Sequence, residues 1–311
     1  MISAFPIRTR RVVAILFILA LSLLLETTPT VGQETTSQPT GWTPEEMMKV
    51  KEVGNVQVSP DGRRVVFTVT EAVMTDDKSE NLTHIHMANI DGSDARQITY
   101  GDKSCTTPQW SPDGRWLAFT SERSGKNNLW LLRPDGGEAQ QVTEVKTGVR
   151  SFKWAPDSKQ IALIMADSLT AAEEKAQKGK NDAKVMDENL KMNLLWLIPI
   201  EKDTSGKRLA RLLTKSEFSV NNFDWSPDGK MLVFAYVPTP RANDWTLSDI
   251  STVDVATGVI VPVARTGAVE DSPLYSPDGR WIAYTVSDDP PTVTRTSDVF
   301  IVPASGGPHA N

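Results

Sequence analysis

The sequence predicts an all-β protein, a β-propeller of four-stranded antiparallel blades with about five blades present and the last one incomplete. Three observations predict it. Five copies of one turn recur along the 311 residues: Ser59-Pro60-Asp61-Gly62, Ser111-Pro112-Asp113-Gly114, Ala155-Pro156-Asp157-Ser158, Ser226-Pro227-Asp228-Gly229 and Ser276-Pro277-Asp278-Gly279. Each is followed by an apolar run in the same register, and an aromatic residue stands just before most of them. A repeat of this length means one supersecondary unit stacked many times.

From the N-terminus, Arg8, Arg10 and Arg11 precede a 14-residue apolar stretch, Val12–Leu25, broken only by Ser22. Thr30-Val31-Gly32 then offers small residues for cleavage before Gln33. Residues 1–32 therefore read as a secretory signal peptide, and the apolar run is short for a spanning helix, which needs about 20 residues. An uncleaved anchor is the alternative; after cleavage no stable membrane anchor is expected. No Cys lies near the cleavage region to carry a lipid. Residues 33–41 form a polar linker. Thr43-Pro44-Glu45-Glu46 is a helix start with Thr43 as N-cap, Pro44 at the first helical position and Glu46 completing a capping box, and the helix is expected to reach about Lys51.

The propeller is expected over 42–311, with blades near 54–100, 105–144, 150–215, 220–266 and 271–311. In each turn Pro presets φ for a type I turn, Ser and Asp bond nearby backbone, and Gly accepts positive φ. Ser158 replaces that Gly in the third copy, so that turn is expected to be strained or of another type. Six residues after each turn begins come Val65, Leu117, Ile161, Leu232 and Ile282; eight after, Phe67, Phe119, Leu163, Phe234 and Tyr284. Between them sit Val66, Ala118, Ala162, Val233 and Ala283. Apolar residues at consecutive positions mean a strand buried on both faces. Val58, Trp110, Trp154, Trp225 and Tyr275 precede the turns and suggest one shared packing slot per repeat.

The second repeat displays a whole unit: strands at Pro108–Trp110, Trp116–Thr120, Asn128–Leu132 and Ala139–Thr143, separated by turns. Turn starts are spaced 52, 44, 71 and 50 residues apart. The long spacing holds an insertion near 166–192 that is dense in mixed charge, from Glu173 and Glu174 to Asp187 and Glu188. It reads as a solvated rim element, or as a loop facing substrate or another domain.

Composition excludes several functions. Without residues 1–32 the chain keeps 30 basic and 38 acidic residues, which argues against nucleic acid as partner. The lone Cys105 leaves no internal disulfide. There is no Gly-x-Ser-x-Gly elbow, no phosphate-binding glycine loop and no dinucleotide fingerprint, so no catalytic, cofactor-binding or metal residue is assigned. Of three His, His84 and His86 share one face of a strand without a third ligand at recognisable spacing, and His309 lies close to the end. The carboxylate pairs Asp76-Asp77 and Asp288-Asp289 read as loop tips. After Asp298–Val302, Pro303–Pro308 reads as the turn before a fourth strand, so the polypeptide is expected to be the N-terminal part of a longer one.

Trp110-Ser111-Pro112-Asp113-Gly114-Arg115-Trp116-Leu117-Ala118-Phe119-Thr120-Ser121 resembles the propeller repeat shared by TolB-type proteins and the prolyl oligopeptidase (S9) serine peptidases. Thr43–Glu46 before the first blade, Val56–Gly62 within it, and the insertion Asn181–Glu188 followed by Asn193-Leu194-Leu195-Trp196 resemble the acylaminoacyl-peptidase-like and dipeptidyl-peptidase-like branch. The resemblance spans roughly 42–308. It implies a propeller that caps an active site and admits short peptides, joined to a C-terminal α/β-hydrolase domain that supplies Ser, Asp and His. The chain lacks that domain, so no catalytic residue is carried over. A TolB-like periplasmic scaffold that recruits a partner protein is the alternative, and a lyase with a His-ligated metal a third reading.

Overall fold

The computed structural model describes residues 41–180, 188–215, 217–292 and 296–306. The expected signal segment, most of the linker, His309 and part of the charged insertion lie outside these residues. The chain divides into a unit ending at Met48 and a second running from Lys49. In the first, helix α1 (Pro44–Met48) begins with the expected capping box: Glu46 N–H donates to Thr43 Oγ1 and Thr43 N–H to Glu46 Oε2, both at 3.1 Å. The helix stops at Met48, short of Lys51, because a single turn adds too few hydrogen bonds to propagate on its own.

The second unit is five antiparallel sheets in chain order. The first contains β1 (Glu52–Val58), β2 (Arg64–Thr75), β3 (Lys78–Asn89) and β4 (Arg96–Gln97). The second contains β5 (Cys105–Trp110), β6 (Leu117–Ser121), β7 (Asn128–Leu132) and β8 (Gln140–Gln141). The third contains β9 (Val149–Trp154), β10 (Gln160–Ala166), β11 (Asn193–Pro199) and β12 (Arg211–Leu212). The fourth contains β13 (Ser219–Trp225), β14 (Met231–Val237), β15 (Asp249–Asp254) and β16 (Ile260–Ala264). The fifth, among the described residues, has β17 (Glu270–Tyr275), β18 (Trp281–Ser287) and β19 (Ser297–Pro303). This is the all-β propeller architecture the repeats predict. The fourth strand of the second blade is shorter than expected: β8 is two residues long where five were anticipated.

Local chemistry explains the turns. Ser59, Ser111, Ser226 and Ser276 each donate from Oγ to the Asp two residues on, at 2.6–2.7 Å. The same Oγ accepts the amide five residues later, at 2.9–3.0 Å. The Asp carboxylates are thus turn formers, and hydrogen bonds from Ser276 and the Arg280 amide hold Asp278 down to about 2. The third turn closes through the same Ser158 N–H to Ala155 O bond, at 3.0 Å. Ser158 adopts φ 60°, close to the 70° of Gly229. Its turn is therefore strained but not of another type. The Ser158 hydroxyl accepts the Asp113 amide of the preceding blade at 3.0 Å.

The second strands explain how the blades stack. Leu117 and Phe119 pack back on Val66, Ile85 and Met87 of the first blade. Ala118, on the opposite face, packs forward against the third blade. Ala162 likewise joins the core shared with Phe223 and Phe234, and Val233 the core shared with Ile282 and Tyr284. Large residues face the preceding blade and smaller ones the next, so neighbouring sheets interdigitate.

The aromatic slot is a hydrogen-bonded staple as well as a packing site. Trp110 Nε1 donates to Gln57 O (3.4 Å), Trp154 Nε1 to Gln109 O (3.2 Å) and Trp225 Nε1 to Lys153 O (3.2 Å). In every case the acceptor is the residue just before the corresponding position of the preceding blade. First strands thus run side by side along the inner edge, where Lys153 Nζ pairs with Asp224 at 2.9 Å and Tyr275 N–H donates to Asp224 at 3.0 Å.

Candidate functional site

Alternation of strand direction places the two kinds of hairpin at opposite ends of the blades. Connections from first to second and from third to fourth strands lie at one end and are short apart from residues 200–210 in blade three. Connections from second to third strands open at the other end, and there the blades differ. Blade one extends its hairpin through 12-residue strands. Blade three inserts α2 (Ala171–Lys178), and blade four a 3-10 segment at Ala242–Leu247. A uniform end beside an elaborated one marks the elaborated end as the candidate site, because binding residues concentrate on loops held by a rigid scaffold.

The insertion helix is built for its place. Thr170 caps it reciprocally with Glu173: Thr170 N–H donates to Oε2 at 2.6 Å and Glu173 N–H to Thr170 Oγ1 at 3.3 Å. Glu173 also pairs with Lys191 (2.7 Å), and Glu174 with Lys146 (2.6 Å) on the connection between blades two and three. The Lys191 ammonium and the Thr170 bonds hold Glu173 down to about 2. Within the charged insertion, α2 is a solvated rim helix tied to its neighbours by these two ion pairs. Beneath it lies a cavity of about 470 Å³ reached by Lys126, Glu144, Leu169 and Lys178. A second, of about 270 Å³, lies between blades four and five and is lined by Trp245, Ser248, Asp271, Thr285 and Ser287.

A third, of about 300 Å³, opens at the inner edge beside Ser151, Lys153, Asn222, Ser272 and Leu274. Asn222 donates to Asp271, and its buried Oδ1 has no protein partner. Asn55, Thr107 and Ser272 hold φ of 47°, 55° and 53° three residues before the pre-turn position, beside register shifts in β1, β5 and β17. These bulges kink the inner strands and re-aim their side chains.

The residues singled out by sequence are placed as follows. His84 and His86 share one face of β3; His86 stacks on Phe67 at 5.7 Å, and His84 Nδ1 lies 3.5 Å from Thr99 Oγ1. Burial pushes both imidazoles below their ordinary value, against an opposing pull from Glu71. They form part of the packing of blade one, and among the described residues no group of three His, Cys, Asp or Glu could hold a metal. Cys105 is buried at the start of β5 with Arg123 Nη2 at 2.8 Å from its sulfur.

Glu270 was not singled out. It is fully buried at the start of β17, its Oε1 takes the Thr266 hydroxyl, and its Oε2 has no partner. Burial raises its pKa, with Asp249 adding to the effect. The signal was present in the repeat: five residues before the pre-turn aromatic, the other blades carry Val53, Cys105, Val149 and Val220.

Comparison with known proteins agrees with this architecture. Residues 49–191 match the family model of the TolB beta propeller domain. Dipeptidyl-peptidase 5 of Porphyromonas endodontalis is 30% identical over 99 residues, which make up 32% of this chain and 14% of that protein. The acylaminoacyl peptidase of Pyrococcus horikoshii superposes with a TM-score of 0.55 at 19% identity, over 84% of this chain and 39% of that one. TolB from Acinetobacter baumannii superposes with a TM-score of 0.51 at 15% identity, over 82% of this chain and 53% of that one. The matched region is thus a small part of the peptidase relatives, and the structural likenesses establish the fold. No helix among the described residues is long and apolar enough to cross a membrane. Over residues 49–191 the chain is similar to the TolB beta propeller domain, it is similar to dipeptidyl-peptidase 5 over 99 residues, and it shares its fold with part of the acylaminoacyl peptidase.

Proposed function

We propose that this chain is the propeller portion of an exported S9-type serine peptidase, which gates short peptides to an α/β-hydrolase domain carried elsewhere in the full protein. The observation that carries this reading is the kinship with dipeptidyl-peptidase 5. The confinement of insertions to one end of the blades supports it, since a gate must present its variable loops on the side it guards. The chain by itself holds no assigned Ser–His–Asp set, so its role is to bind, orient and exclude. The basic and apolar stretch in residues 1–25 supports export through a signal ending at Gly32.

The test is the coding sequence downstream of codon 311 at the native locus. A continued frame with further blades, a Gly-x-Ser-x-Gly serine and then Asp and His is expected. A stop soon after Asn311 sinks the peptidase reading. It leaves a TolB-like periplasmic protein-binding scaffold, which the TolB beta propeller match favours in its own right. N-terminal sequencing of the exported protein is expected to begin at Gln33.

A further inference from the structure

The hairpin of blade one outgrows its sheet. Strands β2 and β3 pair over twelve positions, from Arg64↔Asn89 to Thr75↔Lys78, but β1 accompanies β2 only as far as Glu52↔Thr70. Residues 71–75 and 78–82 thus form a two-stranded ribbon about 17 Å long that, among the described residues, carries no third strand.

The direction of its free backbone groups follows from the bonds around it. Ile85 N–H donates to Thr99 Oγ1 (2.9 Å) and Thr83 N–H to Ser104 Oγ (3.0 Å), so both point away from β2. Their cross-strand partners Thr68 and Thr70 therefore point away from β3, toward β1, where they pair with Gly54 and Glu52. The period of two carries this onward: Ala72 and Met74 turn N–H and C=O to the same edge, past the point where β1 begins.

That edge lacks the usual protection. Natural edges are blunted by charge or proline. Ala72-Val73-Met74 has neither, and Met74 is 60% exposed. Glu71, next to it in the strand, is paired with Lys51 at 2.7 Å, and Glu80, cross-strand from Val73, with Lys78 at 3.4 Å. We propose that the Ala72–Met74 edge pairs antiparallel with the same edge of a second copy of this chain.

The geometry is self-complementary. With a twofold axis at Val73, Ala72 exchanges both backbone bonds with Met74 of the second copy, and the reverse, giving four hydrogen bonds. Val73 meets its own counterpart as a non-hydrogen-bonded pair, and Glu71 faces Thr75. Within the paired residues 71–75 no like charges meet. The opposite edge of the ribbon, centred on Glu80, would oppose two carboxylates in the corresponding arrangement, which is destabilising. The result is one four-stranded sheet across two copies. This inference is independent of the peptidase reading.

Sedimentation equilibrium of the chain over a wide concentration range, with three variants, tests it. A weak, reversible dimer is expected. Ala72→Pro removes an outward N–H and leaves the β2–β3 bonds in place, so it is expected to abolish the dimer without moving the unfolding midpoint. Val73→Cys places two thiols across the axis at disulfide distance and is expected to cross-link far faster than Met74→Cys. A chain that stays monomeric up to its solubility limit, a dimer that survives Ala72→Pro, or equal cross-linking at 73 and 74 would each overturn the proposal.

Discussion

Blades two to four and blades one and five are built from the same repeat, yet they differ in burial. At the second strands of the inner blades, Leu117, Phe119, Ile161, Leu163, Leu232 and Phe234 are fully enclosed, as are Ala118, Ala162 and Val233 behind them. In blade one only Val66 of the corresponding trio is enclosed, while Val65 and Phe67 are half-buried. Blade five keeps Ile282 and Tyr284 inside, but leaves Trp281 41% and Val299 62% exposed. The difference lies in the number of neighbours. An inner blade is covered on two faces and an outer blade on one, so the same residue type contributes differently by position.

The largest expected effect tests that difference directly. Phe119→Ala opens a cavity among Val66, Met87 and Trp110 and is expected to cost about 3–5 kcal/mol, read from denaturant midpoints. Phe67→Ala, at the equivalent but half-buried position, is expected to cost less than half as much. Equal losses would break the comparison.

The staples come next. Trp154→Phe removes the bond to the Gln109 carbonyl while keeping most of the ring, and about 1 kcal/mol is expected from the lost bond. Trp281→Phe, at the exposed flank of blade five, is expected to be close to neutral in the same titration.

Glu270 gives a pH signature to the seam between blades four and five. Its pKa is raised by burial, so the folded state holds its proton above the ordinary carboxylate value of 4.5. Stability from this group is fully present below 4.5 and falls as pH rises toward the folded value. Glu270→Gln is expected to flatten the decline of the melting temperature as pH rises above 4.5. An unchanged slope would show that other groups set the pH response.

The smallest global effect, though a distinct local one, belongs to the insertion. Lys191→Met removes the main partner of Glu173. It is expected to leave the unfolding midpoint nearly unmoved and to speed amide exchange in α2, seen by hydrogen–deuterium mass spectrometry. The Glu173 interaction is present above pH 4.5 and is lost as pH falls toward 2, so the protection of α2 amides, after correction for the intrinsic pH dependence of exchange, is expected to fall on acidification.

Much of the fold was legible because its signals are local. The Ser-Pro-Asp-Gly turns close through bonds within six residues, and the pre-turn Trp repeats at a fixed offset. Strand boundaries such as Asn128–Leu132 and Trp281–Ser287 follow from the turns that flank them. The fourth strands were less legible, since β8 and β12 retain only two residues held by the edge of the sheet. The site was largely illegible. Glu173 and Glu174 read as solvated charge until Lys191 and Lys146 stood beside them. Glu270 belongs to no motif, and only its apolar counterparts Val53, Cys105, Val149 and Val220 set it apart.

The sequence by itself determined the repeat, the turn chemistry, the two-faced second strands and the aromatic slot, since each depends on residues a few positions apart. Only the tertiary structure decided which blades bury both faces, which end gathers the insertions, that Glu270 lies sealed without a second partner, and that β2 outruns β1. Those properties depend on what is brought alongside from dozens of residues away, and burial and pairing are set by neighbours in space.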